Sequence, residues 1–175
     1  AGISGATLKR VGEDQGAAVL AGTSAVLIKS VVNYRTARIA DIAAHEEAAK
    51  AGGGVVVWDL SHAAGAIDLD LTASGAWMAA GCTYKFLNGG PGAPAYVYVR
   101  GDLAVRLDSP ISGWMGHARP FAFDGGYTPR LGVARFASGT PGILSLAALE
   151  GALSAFDGVD MRMAAQKAQR LGDLA

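Results

Sequence analysis

Cysteine is nearly absent from this 175-residue sequence: Cys82 is alone, which excludes an internal disulfide and cannot supply a zinc cluster. The expected role of that thiol is a small apolar filler. An excess of either charge is also missing, since fifteen Lys and Arg offset fifteen Asp and Glu. Nothing in that balance recruits nucleic acid or an anionic membrane. No apolar run approaches the roughly 20 residues that cross a bilayer, and the start lacks the basic-then-apolar pattern of a signal peptide. The expectation is a cytoplasmic protein with no metal, no nucleic acid and no membrane partner. Repeats, linkers and low-complexity segments are missing too, and the length suits one compact domain. There is no initiating Met, and the closing MRMAAQKAQRLGDLA reads as a helix that stops without a capping glycine. The chain is therefore expected to be incomplete at both ends.

What the sequence has in quantity is glycine, and it gathers in GCTYKFLNGGPG, Gly81 to Gly92. Lys85 lies there between an apolar run that should be a strand, Trp77 to Gly81, and a turn too glycine-rich to continue it. An amine on a tight turn at the end of a buried strand is poorly solvated, and burial favours the neutral, nucleophilic form of such a group. Alone, the string also suits an ordinary surface lysine. Asp59 changes the reading. It closes VVVWDL, where a lone aspartate would be a cap or turn former. In an open α/β sheet, however, ligands bind at the carboxyl ends of strands, so two strands ending in Asp and Lys address one crevice. An acid for a pyridinium nitrogen beside a lysine able to form a Schiff base is the pair that pyridoxal phosphate requires.

Along the chain, Ala6 to Val11 is a short, weak strand candidate followed by a polar stretch, Gly12 to Gly16. AVLIKSVV, Ala25 to Val32, has the composition of a parallel strand covered on both faces, and it ends at the polar turn NYRTAR. Ile39 to Ala51 reads as a helix with Ile42 inward and His45, Glu46, Glu47 and Lys50 largely outward, stopped by Gly52 to Gly54. Val55 to Asp59 is the next strand, which completes a βαβ unit. After an irregular link with one helical turn near Leu71 to Ser74, and after the glycine turn, Ala95 to Arg100 alternates as a strand whose short connection requires antiparallel pairing. A mixed sheet follows. Ser109 to Gly142 is loop-rich yet carries Trp114, His117, Phe121, Phe123 and Tyr127, more aromatic surface than water tolerates without a partner. Ile143 to Phe156 is a helix with Leu146, Leu149, Leu153 and Phe156 on one stripe.

WDLSHAAGAIDLDLTASGAWMAAGCTYKFLNGGPGAPAYVYV closely resembles the corresponding stretch of the kynureninases, fold-type I enzymes that use pyridoxal phosphate. The likeness extends through VVNYRTARIADIAAHEEAAKAGG before it and ISGWMGHARPFAF and RFASGTPGILSLAALEGAL after it. TYK-x-LNGGPG is more specific than a generic lysine pattern, because cysteine desulfurases and class V aminotransferases usually place Ser or Thr and a His just before their lysine. The resemblance implies an α/β fold of the pyridoxal-phosphate-dependent transferase type, with a mostly parallel mixed sheet flanked by helices. Residues 1–157 would be part of the large domain, and residues 158–175 the start of the helix leading to a small domain.

It further implies hydrolysis of L-kynurenine to anthranilate and L-alanine, in tryptophan catabolism and NAD biosynthesis. Lys85, Asp59 and Tyr84 become the catalytic residues, and Asp59, His62 of D-x-x-H, Tyr84, Lys85, Trp114 and Thr140 the cofactor contacts. Trp114 would reach the phosphate in the active site of the other subunit of a homodimer. For Thr140, just before a proline that can begin a helix, a plain N-cap role is compatible with phosphate binding. His45 and His117 are expected to be structural. Gly139 and Thr140 stand where the animal enzymes have Ser-Asn, which implies a preference for kynurenine over 3-hydroxykynurenine. The rivals are another fold-type I enzyme, a cysteine desulfurase or aminotransferase, and a non-catalytic fragment that keeps the fold.

Overall fold

The computed structural model describes residues 5–123 and 125–174; the outer limits of the two expected segments, residues 1 and 175, lie outside them. β-Branched runs form the first two strands, β1 (Val26–Ser30) and β2 (Val55–Asp59), which pair in parallel with Ser30 opposite Asp59. Between them runs α2 (Ile42–Gly52), preceded in the chain by a short α1 (Gly16–Gly22). Next, β3 (Met78–Cys82) adds in parallel to β2, and β4 (Ala95–Val99) returns antiparallel with Gly81 opposite Tyr96. The result is a mixed four-stranded sheet in the order β1-β2-β3-β4, flanked by helices as expected. Beyond it come α3 (Gly101–Ala104), α4 (Ile143–Leu153) and α5 (Met161–Gly172).

The helix α2 is set by its ends. Asp41 Oδ1 accepts the Ala44 N–H at 3.0 Å as N-cap, and Gly53 takes the left-handed conformation, φ 69°, that stops it. Its Ile42 and Ala49 bury against Val56 and Trp58 of β2 in one core cluster. Glu46, expected outward, is instead buried at 7% exposure, because the indole Nε1–H of the fully buried Trp58 donates to its Oε1 at 2.8 Å. His45 packs edge-on against the same indole, centroids 5.6 Å apart. The short α1 survives by packing on α2: Leu20 is buried, and a side chain at Gly52 would collide with the Leu20 carbonyl. Residues 6–11, expected as a strand, are irregular and largely exposed, since ATLKRV has no apolar face to bury.

Two apolar surfaces have no cover among the described residues. On the sheet face away from α2, Val26, Ile28 and Val97 are exposed, Ile28 at 74%, so the expectation that β1 is covered on both faces is not met within these residues. The α4 stripe fares similarly: Leu146 and Leu153 are exposed, and α4 buries none of its residues. α5 is capped by Asp160, whose Oδ1 accepts from Arg162 N and Met163 N. No helix among the described residues is long and apolar enough to cross a membrane.

Candidate active site

Asp59 ends β2 with its carboxylate on the open side of the sheet. A hollow of about 310 Å³ there is lined by Ile28, Val57, Asp59, Ala80, Cys82 and Ala95. The Ser30 hydroxyl donates to Oδ2 at 2.9 Å and the Ser61 N–H to Oδ1 at 2.8 Å. Burial pushes the carboxyl up, but the Ser61 and Ser30 hydrogen bonds and the charge of Lys85 outweigh it and hold Asp59 below its ordinary range. The group is therefore an ionised acceptor at neutral pH, with Lys85 close enough to act on it.

Lys85 sits half-buried on the loop between β3 and β4, with Nζ 5.3 Å from the centre of the exposed Tyr84 ring. Thr83 Oγ1 donates to the Pro94 carbonyl at 2.5 Å, and the Thr83 carbonyl accepts from Gly89 N at 2.9 Å, which closes the loop at its base. Asn88 and Gly90 turn the chain in the left-handed region, at φ 61° and 72°. The loop after Asp59 meets this one backbone to backbone. Gly65, at φ 82°, leaves no room for a Cβ beside the Phe86 carbonyl, and that contact places His62 and Lys85 on adjoining turns. The His62 ring stacks on Tyr34 at 6.0 Å. Cys82 is half-buried with Sγ 3.7 Å from the Ser61 carbonyl, within a strand and not on a mobile loop.

Trp114 and Thr140 lie on segments that pack against one another. Met115 N donates to the Ser138 carbonyl at 3.2 Å, and Gly113 and Gly116 pack on the backbone of Ser138 and Ala137, so the GWMG turn is pressed against the segment leading to Thr140. The Trp114 ring meets Phe121 edge-on at 5.4 Å and, with His117, Phe123 and Tyr127, lines a cavity of about 510 Å³. Asp59, His62, Tyr84 and Lys85 do not line that cavity. Thr140 is exposed, and α4 takes Gly142 as N-cap, so the plain capping role does not apply to Thr140. His117 is buried, its Nδ1 accepting the Arg119 N–H at 2.9 Å.

The family model for aminotransferase class-V matches residues 9–175 of this sequence. The chain belongs to that family. Among class-V relatives it is 49% identical over 148 residues to the kynureninase of Deinococcus radiodurans, covering 85% of this chain and 36% of that one. It is 43% identical over 151 residues to the kynureninase of Pseudomonas fluorescens, covering 86% and 36%. The chain thus spans about a third of the length of the curated relatives it matches. The apo structure of cysteine desulfurase from Thermococcus onnurineus NA1 superposes with a TM-score of 0.64 at 21% identity, over 82% of this chain and 35% of that one, a likeness of fold.

Four residues that hold this region together, Ser30, Ser61, Tyr34 and Thr83, are not singled out by the sequence pattern. Ser30 carried a readable signal, a hydroxyl at the carboxyl end of an apolar parallel strand whose neighbour ends in Asp59. The contacts of Tyr34 and Thr83 span 28 and 11 residues, and no spacing rule announces them.

Proposed function

We propose that this chain carries the cofactor-binding part of a pyridoxal-phosphate-dependent kynureninase, which hydrolyses L-kynurenine to anthranilate and L-alanine. The observation that carries the reading is the pairing of an ionised Asp59, at the end of β2, with Lys85 on the adjoining loop. The donor set fits the cofactor. Asp59, with its two hydrogen bonds already on both oxygens, is a fixed anion for a pyridinium N–H, and Lys85 is the amine for the aldehyde. When bound, pyridoxal phosphate supplies an electron sink for charge developing on the substrate.

The residues then divide the work. Asp59 keeps the pyridine nitrogen protonated. Lys85 Nζ would hold the cofactor and, when free, would take and return the substrate α proton. Tyr84, exposed beside Lys85, binds phosphate and relays a proton, and His62 contacts the cofactor from the Asp59 turn. Trp114 and Thr140, brought to adjoining segments by the Met115–Ser138 bond, serve the phosphate, Trp114 in the site of a second subunit. A cytoplasmic homodimer acting in tryptophan catabolism and NAD biosynthesis, with kynurenine preferred over its 3-hydroxy form, completes the proposal.

The test is borohydride reduction of the full-length protein with its cofactor, followed by peptide mass analysis. Pyridoxyl mass on the peptide containing Lys85 is expected; label on Lys29 or Lys50 in its place overturns the assignment. Release of anthranilate from kynurenine, with no sulfur released from cysteine, separates this activity from that of a desulfurase.

A further inference from the structure

We propose that Thr83 is a positioning residue that holds the Lys85 loop in its working shape; this rests on the reading of Lys85 as the cofactor lysine. Thr83 is 4% exposed, although it opens a loop whose Tyr84 and Phe86 are each 48% exposed. Those two side chains therefore do not anchor the loop, and hydrogen bonds at its base do. Thr83 makes two of them. Its hydroxyl donates across the loop mouth to Pro94, just before β4, and its carbonyl receives the Gly89 N–H from the loop's far side. Within that frame Asn88 N closes a tight turn on the Lys85 carbonyl at 3.0 Å. One residue thus ties the end of β3 to the entry of β4 through its side chain, and to the far side of the loop through its backbone.

The chemistry of the residue is specific. A hydroxyl is needed to donate to a carbonyl, and valine, of the same shape, leaves the Pro94 oxygen without that donor. Without the link, the glycine-rich loop regains backbone freedom that must be lost again each time the cofactor binds. Thr83 touches neither cofactor nor substrate in this account; it acts through Lys85.

The experiment compares full-length wild type with Thr83→Val and Thr83→Ser. Hydrogen exchange of the peptide spanning Asn88 and Gly89 is measured without cofactor, and pyridoxal phosphate affinity by absorbance titration. For Thr83→Val the loop amides should exchange about fivefold faster and the cofactor bind about fivefold more weakly, the worth of one hydrogen bond. Thr83→Ser keeps the hydroxyl and should hold both wild-type values. A serine variant with a loosened loop and weakened affinity overturns the proposal even where the valine variant does not fold. So does a folded valine variant that matches wild type in both measurements. A wild-type protein that takes no pyridoxyl label on Lys85 sinks the cofactor reading instead, whatever the exchange rates show.

Discussion

The Ser30 hydroxyl donates to Asp59 Oδ2 at 2.9 Å from the register position directly opposite it, across the parallel β1–β2 pair. Ser61 N–H holds the other oxygen, so the carboxylate is gripped from the neighbouring strand and from its own following turn. The orientation of Asp59 is thus fixed by residues 29 positions apart as well as by its nearest neighbours.

Removing the Ser30 grip should raise the Asp59 pKa toward its ordinary value, because one of the bonds that favour the anion is lost. A depressed native pKa gives stability that is present above the unfolded value and lost as pH falls through the native one. Ser30→Ala should therefore have less of that stability at neutral pH and should finish losing it at a higher pH than wild type. Carbon NMR titration of the Asp59 carboxyl reads the midpoint directly. A midpoint equal to that of wild type would remove Ser30 from the account.

Asp59 itself is tested by asparagine, which keeps the shape but not the charge. Full-length Asp59→Asn should still bind the cofactor through Lys85 and lose on the order of three powers of ten or more in kcat, since a neutral pyridine stabilises no carbanion. Turnover near that of wild type would exclude Asp59 from the mechanism.

The strands and the Asp59–Lys85 pair could be read from residue order because their signals are local: β-branched runs, a terminal acid, a glycine-rich turn. The α1 helix could not. GAAVLAG has glycine at both ends and only seven residues, too short to hold by propensity, and it stands because Leu20 packs on α2. Glu46 departs from its local pattern for a related reason. A charged residue on a helix is ordinarily a solvated one, and the Trp58 indole that receives it lies twelve residues on, on another element. The α4 stripe was legible as a pattern, but periodicity says which side is apolar and not what lies against it.

Glu46 gives a prediction whose sign depends on pH. Burial raises its pKa, an effect that hydrogen bonds from Trp58 and the Trp77 backbone and the charges of Arg100 and His45 offset in part. A native carboxyl with a raised pKa binds its proton more tightly than the unfolded chain does, so its contribution falls as pH rises through the native value. Glu46→Gln still accepts from the indole without the charge. It should equal or exceed wild type by up to about 1 kcal/mol at pH 7, with the difference shrinking toward pH 4. Glu46→Ala strands a buried indole N–H and should cost about 1–3 kcal/mol at either pH. Urea unfolding at both pH values checks this; a glutamine variant as weak as the alanine one contradicts it.

Gly81 is required by Tyr96, which lies opposite it in the β3–β4 ladder. A Cβ there would stand 2.5 Å from the Tyr96 hydroxyl oxygen and 2.6 Å from its ring. Gly81→Ala should cost about 1–3 kcal/mol through overpacking, and trimming the ring in Gly81→Ala/Tyr96→Leu should return part of it. Additive losses in thermal unfolding would mean that the two side chains do not compete for the same space.

Trp114 supplies the last test, which joins assembly to chemistry. Its indole is held in a loop by Phe121 and lies in a cavity that Asp59, His62, Tyr84 and Lys85 do not line. An indole N–H is donor-only and suits a phosphate oxygen, so a Trp114 that serves the other subunit makes each site composite. In full-length protein, Lys85→Ala and Trp114→Ala homodimers should each be impaired. Mixing them produces heterodimers in which one site carries both lesions and the other neither, and activity should rise above that of either parent. If each subunit supplied both groups to its own site, no intact site could form on mixing, and the absence of any recovery, with subunit exchange verified by mass, would show that Trp114 works within its own chain.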